Sequence, residues 1–208
     1  MAKPRYRRRK EDRPQEITDA AFLVFAEQGY AAARVEEVAQ RAGISKGLLY
    51  RYFETKEELF KAVIRSVVMR RLDALLVAVE ETELSSEAFI RGPLLEFMRR
   101  VPGSPVAVVI RLLIAEGQRH PDLVEFYWDN VVSKGLATIT RLVERGMERG
   151  EFRPSAVTDL PQLLVAPVMV AVIWKILFSR HPVDSDALVE TQFDMILAYI
   201  RARPEQDQ

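Results

Sequence analysis

Apolar residues recur three and four apart along almost the whole of this chain, and no stretch alternates strictly with period two. The pairs Asn-Gly and Asp-Gly, which close tight hairpins, do not occur. Such a pattern builds helices and leaves little from which to make a sheet. Residues 14–30, PQEITDAAFLVFAEQGY, place Pro14 near a first helical position, line up Ile17, Ala21, Val24 and Phe25 on one stripe, and stop at Gly29. RVEEVAQRAG (34–43) is a second, shorter helix closed by Gly43, the residue type preferred for a left-handed cap. A capping box, Thr55 with Glu58 three residues on, opens a helix of about seven turns. Breaks at 85–86, 101–105, 119–121, 150–154 and 179–186 delimit five more helices, with Gly92-Pro93 kinking or restarting one of them. The expectation is an all-α fold of about nine helices.

Half the 208 residues are hydrophobic and 29% are charged, the balance of an ordinary globular protein. Cysteine is absent, which excludes disulfides and thiolate metal sites and suits a reducing compartment. The N-terminus, MAKPRYRRRKEDRP, is basic and carries no apolar signal region, so the expected location is cytoplasmic. Net charge is zero but unevenly spread: residues 1–65 hold 14 Lys+Arg and 10 Asp+Glu, leaving 16 and 20 for the remainder. A basic first third suits a polyanion-facing end, although a mixed charged surface gives the same excess by chance. The run LPQLLVAPVMVAVIWKILF (160–178) approaches the length of a membrane span. Its Pro161, Gln162, Pro167 and Lys175 favour a helix covered by other helices.

GISKGLLYRYFETKEELF (43–60) contains a helix too short to be stable alone, since isolated helices below roughly 12 residues are marginal in water. With Ser45 as N-cap, Ile44 and Leu49 stand at the spacing of a hydrophobic staple. Leu49 and Phe53 share one face, suited to docking on Val38, Ala39 and Ala42 of the preceding helix. This is a helix-turn-helix, whose second helix enters a DNA major groove. The opposite face offers Lys46, Gly47, Leu48 and Tyr50, with Tyr52 flanking. Lys46 suits guanine O6/N7 or a phosphate, Gly47 permits close backbone approach, Leu48 suits a thymine methyl, and the tyrosine hydroxyls suit phosphate oxygens. The first-turn amides of the next helix, with Lys56, suit a phosphate as well.

The segment ITDAAFLVFAEQGYAAARVEEVAQRAGISKGLLYRYFETKEELFKAVI resembles the DNA-binding domain of the tetracycline-repressor (TetR) family, in VAQRAGISKG, then LYRYF, then a capped TKEELF. RLLIAEGQRHPDLVEFYWDN and ITRLVERGMERGEFRP resemble that family's helical regulatory domains. The resemblance implies a three-helix DNA-binding domain and a helical body that dimerises and binds a small effector. It places DNA contacts on Arg34, Ser45, Lys46, Gly47, Leu48, Tyr50, Tyr52 and Lys56. Two departures stand out. Arg34 occupies a position where the family commonly has a small hydroxyl residue, with Ala33 before it where threonine is frequent, and Leu48 replaces a frequent threonine. Arg34 then either makes its own phosphate contact or leaves the second helix to fray.

In the body, Arg111 lies within VAVVIRLLIAE, an apolar helix expected to be largely buried. A buried guanidinium needs a partner, so Arg111 is either an effector contact or half of a structural ion pair. Phe97, Phe126, Tyr127, Trp128 and Trp174 are the large aromatics available to a pocket, and the apolar body suits a largely apolar effector. His120 and His181 adjoin prolines at helix breaks, where cap or loop roles are expected rather than metal binding. The last two helices, about 158–179 and 185–203, must cover their apolar faces. The resemblance assigns that pair to a four-helix interface with a second copy, through Leu164, Val168, Val172, Phe193, Ile196 and Tyr199. Two-fold symmetry would match a palindromic operator.

The expected organisation is a basic flexible leader (1–13), a helix-turn-helix domain (14–60) and a ligand-binding and dimerisation domain (61–208). The leader reads either as a DNA-contacting arm or as a solvated tail. The expected function is a sequence-specific repressor whose partners are duplex operator DNA, a second copy and a small effector, with no cofactor, metal or membrane. An enzyme is the first rival. No phosphate-cradling glycine loop, HExxH or Gly-x-Ser-x-Gly elbow is present, and two histidines without cysteine leave only carboxylates for catalysis. A helical carrier whose DNA face has decayed is the second rival.

Overall fold

The computed structural model describes residues 5–202. Thirteen α-helical segments follow one another: α1 Arg5–Gln28, α2 Val35–Arg41, α3 Lys46–Tyr50, α4 Lys56–Ile64, α5 Arg70–Glu81, α6 Ser86–Phe89, α7 Leu95–Arg100, α8 Pro105–Glu116, α9 Pro121–Tyr127, α10 Ser133–Glu148, α11 Ala156–Asp159, α12 Gln162–Leu177 and α13 Ser185–Ile200. Wider π turns join α4 to α5, α6 to α7 and α9 to α10, so the segments form ten continuous helices. Among the described residues there is no strand, and Phe152 and Arg201 form an isolated antiparallel bridge. None of these helices is long and apolar enough to cross a membrane.

The fold class is all-α as expected, and the differences from expectation are local. Helix α1 starts at Arg5, inside the stretch expected to be flexible; RYRRRKEDR holds good helix formers, and Pro14 removes one amide donor without ending the helix. At Gly92-Pro93 the helix does not restart. It widens into the π turn Ile90–Leu94, which accommodates the donor that Pro93 lacks. The tenth helix is the single turn α11, set apart from α12 by Leu160 (φ −127°, ψ 63°) and Pro161.

The chain divides into two compact units. The first comprises the residues up to Arg70 together with Leu112–Tyr127, that is, helices α1 to α4, the end of α8, and α9. Its core is the stripe Ile17, Ala21, Val24 and Phe25 of α1 against Val38 and Ala39 of α2 and Leu59, Phe60, Val63 and Ile64 of α4, all buried. Phe25, Tyr30 and Phe60 form a triangle with centroids 5.3–5.6 Å apart. Such aromatic pairs add about 0.5–1.5 kcal/mol each beyond the area they bury. From α9's side, His120 stands edge-on to Tyr30 at 4.9 Å, and Phe126 lies beneath Arg65 and Lys61 at 4.8 and 5.6 Å.

The second unit, Arg71–Arg111 with Trp128 onward, buries Phe89, Ile90, Leu94, Val109, Leu142, Val143, Leu164, Val168, Ala171, Val172, Val189, Phe193 and Leu197. The end of α13 is clasped to the loop after α10: Arg153 N donates to Ile200 O at 2.8 Å and Ala202 N to Glu151 O at 3.0 Å. Glu87 on α6 takes the Arg201 and Arg91 guanidinium groups, and Arg91 also reaches Asp194 on α13 at 2.6 Å.

Candidate nucleic-acid interface

One left-handed glycine and two side-chain caps set the path of the chain through α2, α3 and α4. Gly43 (φ +66°) turns the backbone after α2, with Gly43 N donating to Gln40 O and Ile44 N to Ala39 O. Cβ-bearing residues pay for such a φ, so glycine fits here. Ser45 Oγ then accepts from Leu48 N at 3.2 Å and starts α3. Thr55 Oγ1 accepts from Glu58 N at 3.0 Å and starts α4, while Glu58 Oε2 accepts from Glu54 N at 2.8 Å. Leu49, 1% exposed, is the one fully buried side chain of α3 and pins it to the unit.

What α3 turns outward is the set the sequence singled out. Ser45, Lys46, Gly47 and Tyr50 are exposed, and Leu48 and Tyr52 are half-buried. Arg34, the N-cap of α2, is exposed in extended backbone (φ −108°, ψ 138°) and caps nothing with its side chain. Helix α2 does not fray: Glu37 N and Val38 N both donate to Arg34 O, and Glu36 and Glu37 place negative charge at the helix's positive end.

Lys56 is placed differently from the expectation. Its ammonium is half-buried, donating to Ala31 O at 3.0 Å and lying 4.7 Å over the Tyr30 ring. Burial holds its pKa below the usual lysine value, and burial likewise pushes the Tyr30 hydroxyl up. Lys56 therefore closes the turn between α1 and α2.

A contact between α2 and α3 was not foreseen. The Lys46 ammonium forms an ion pair with the Glu36 carboxylate and lies 5.7 Å from the centroid of the Tyr50 ring. The hydrogen bond between them lowers the Glu36 pKa and raises that of Lys46. An open cleft of about 580 Å³ lies elsewhere on this unit, lined by Arg13, Glu16, Arg41, Ala42 and Gly43. Its cations are already paired, Arg13 with Glu16 at 3.3 Å and Arg41 with Glu27 at 2.7 Å. Among the described residues no group of three or more His, Asp or Glu could hold a metal ion.

The residues expected around an effector are divided between the two units. Phe126 and Tyr127 belong to the first unit, and Phe97, Arg111, Trp128 and Trp174 to the second. Arg111 is exposed, contrary to expectation, because the buried stripe of α8 runs through Val106, Val109, Ile110 and Leu112. Trp128 and Trp174 are exposed too, with Trp174 Nε1 donating to His181 O at 2.7 Å. Phe97 is half-buried, and burial pushes the Tyr127 hydroxyl up to about 12.

The expected dimer residues need a similar correction. Leu164, Val168, Val172, Phe193 and Ile196 are buried inside their own chain and are unavailable to a second copy, whereas Tyr199 is exposed. The outward apolar residues of α12 and α13 are Leu163, Val170, Ile173, Trp174, Leu177, Met195 and Tyr199.

A short capped helix, pinned by one leucine and presenting a cation and a tyrosine beside a glycine, defines a helix-turn-helix protein. Comparison with known proteins makes the class specific. Residues 17–63 match the model of bacterial regulatory proteins of the tetR family, and residues 90–196 match the tetracyclin repressor-like C-terminal domain. The second match alone spans more than half of the chain, and the chain belongs to the TetR family of transcription regulators. The helix-turn-helix regulator YfiR of Bacillus subtilis is 27% identical over 150 residues, 70% of each chain. The crystal structure of Bacillus subtilis FadR in complex with stearoyl-CoA has a TM-score of 0.73 at 20% identity, covering 88% of this chain and 97% of that one. A transcriptional regulator from Saccharomonospora viridis in complex with choline has a TM-score of 0.76 at 22% identity, covering 93% and 100%.

Proposed function

We propose that this regulator is a homodimeric repressor that reads a palindromic operator through α3 and is released by a small, largely apolar ligand. The observation that carries the reading is the construction of α3. A helix of five residues has no stability of its own, yet two caps, a glycine turn and Leu49 fix it with Lys46, Gly47 and Tyr50 outward. Of the carried-over contacts, Arg34, Ser45, Lys46, Gly47, Leu48, Tyr50 and Tyr52 are retained. Lys56 becomes a positioning residue.

The homodimer is supported by the outward apolar residues of α12 and α13, foremost Leu177 at 65% and Met195 at 62% exposure, which favour burial against a second copy. Two reading helices then meet half-sites about 34–36 Å apart, and a ligand that prefers a different separation releases the DNA. An apolar effector is supported by the apolar second unit and by FadR of Bacillus subtilis, which was solved with stearoyl-CoA. The choline-bound relative marks the alternative, a small cation.

Selection of random duplex DNA by the purified protein at near-physiological salt tests the reading. An enriched palindrome is the expected result, and the selected duplex then reports release by acyl-CoA or by choline. No enrichment in the presence of either ligand class would refute the reader.

A further inference from the structure

The charge around α3 is not left to the operator alone to arrange. Several acids of this unit have partners away from α3. Glu16 pairs with Arg13, Glu27 with Arg41 and Glu57 with Lys61, while Glu58 accepts from the Glu54 amide. Glu36 is the acid whose ion-pair partner, among the described residues, lies on α3. It projects from the first turn of α2, exposed, and the Arg34 charge acts on it as well. Glu36 thus stands between two cations that the reader would bring to DNA.

We propose that Glu36 is a specificity-determining residue of the DNA reader, holding Lys46 against the Tyr50 ring so that this cation is withheld from phosphates and spent on base edges. The inference rests on α3 being the reader. A surface ion pair contributes little to stability, so the significance of this one lies in where it puts charge. Binding to arbitrary duplex is driven by cations that displace counterions from phosphates. A lysine already neutralised by a carboxylate displaces none until the pair breaks, and the carboxylate itself repels every phosphate whatever the sequence. Its cost falls on non-specific and specific complexes alike, whereas the benefit of an aimed ammonium accrues only where a guanine accepts it.

The simpler alternative is that Glu36 only complements the dipole of α2, whose N-cap makes no side-chain bond. That role does not involve Lys46, which separates the two ideas. The experiment measures the affinity of wild type, Glu36→Gln, Lys46→Met and the double variant for a labelled random-sequence duplex and for the selected operator, from 50 to 200 mM salt. Freeing one cation for phosphate steepens the logarithmic salt dependence by about 0.9, so Glu36→Gln should strengthen random-duplex binding about 3.5 times more at the low-salt end than at the high-salt end. The ratio of operator to random affinity should fall. In the Lys46→Met background the same change removes only the carboxylate's own repulsion and should alter the slope by clearly less. An unchanged slope in Glu36→Gln, or an equal change in both backgrounds, overturns the proposal. Absence of any salt-dependent duplex binding by wild type would instead remove the reader on which it rests.

Discussion

Leu49→Ala should separate reading from folding. Leu49 is 1% exposed and is the fully buried anchor of a five-residue helix. Truncating a buried leucine to alanine costs about 2–5 kcal/mol when the surroundings stay in place. Here they need not, because α3 can detach at the cost of its own docking, which Leu49 and the Ser45 cap supply. The cap contributes about 1 kcal/mol. Without Leu49, the balance shifts by roughly 2–3 kcal/mol toward a detached helix. Apparent affinity scales with the competent fraction, so operator binding should fall by up to about 30- to 160-fold, the full factor applying where the detached helix comes to predominate. The melting temperature should fall by no more than about 4–12 °C, since each kcal/mol shifts a chain of this size by roughly 2–4 °C. Fluorescence anisotropy with the selected duplex and a thermal melt read the two quantities. Affinity within threefold of wild type, with a lowered melt, would mean that α3 is not what touches DNA. No change in either would mean that Leu49 is not the anchor.

Leu177→Glu places a carboxylate on the most exposed apolar position of α12; if a second copy covers it, burying the unpaired charge costs at least about 3 kcal/mol, and sedimentation should show a single-chain species at concentrations where wild type is a dimer. Gly146→Ala sets a helix-propensity gain of about 1 kcal/mol against a methyl that would meet the Phe152 ring at 2.2 and 2.4 Å. Phe152 is held by the hydrogen bond its amide donates to Gly146 O and by its bridge to Arg201, so overpacking of about 1–3 kcal/mol should win and the melt should drop by a few degrees; a raised melt would show that the ring yields freely. Tyr127 should ionise near pH 12, against about 10 for an unfolded tyrosine, as a late step in the ultraviolet titration that Tyr127→Phe removes. Because the unfolded chain gives up that proton first, this contribution to stability is present below pH 10 and is lost between pH 10 and 12.

The features legible in the sequence are those fixed by residues close together in the chain. Ser45 and Leu48, Thr55 and Glu58, and Gly43 after α2 are separated by one turn or less, so residue type and spacing decided the geometry. The fold class followed for the same reason, since helical periodicity is a local property. The Glu36–Lys46 pair lay ten positions apart, and meeting depended on the angle between two helices, which no spacing encodes. The Lys56 contacts were hidden in the same way: its partners, Ala31 O and the Tyr30 ring, lie two helices upstream. The membership of Leu112–Tyr127 in the first unit had little local signal. Only the aromatic character of Phe126 and the ring of His120 hinted that this stretch had something to pack on.

The error on α12 and α13 has a different origin. Amphipathic periodicity separates inside from outside only where one face is polar, and QLLVAPVMVAVIWKIL has almost no polar residue to mark the outer face. Leu164, Val168 and Val172 form as good a stripe as Leu163, Val170, Trp174 and Leu177. The first set is buried in the chain and the second is not. A helix apolar all round therefore does not say which of its stripes meets its own chain. Lys175 does not resolve it, because its ammonium turns back to Pro102 O at 3.3 Å and satisfies itself within the chain. On α8 the opposite held: Arg111, read as a buried charge in need of a partner, was the mark of the exposed face. A lone charge in an apolar helix is more economically read as the position that points to water, because burying it costs several kcal/mol that exposure avoids.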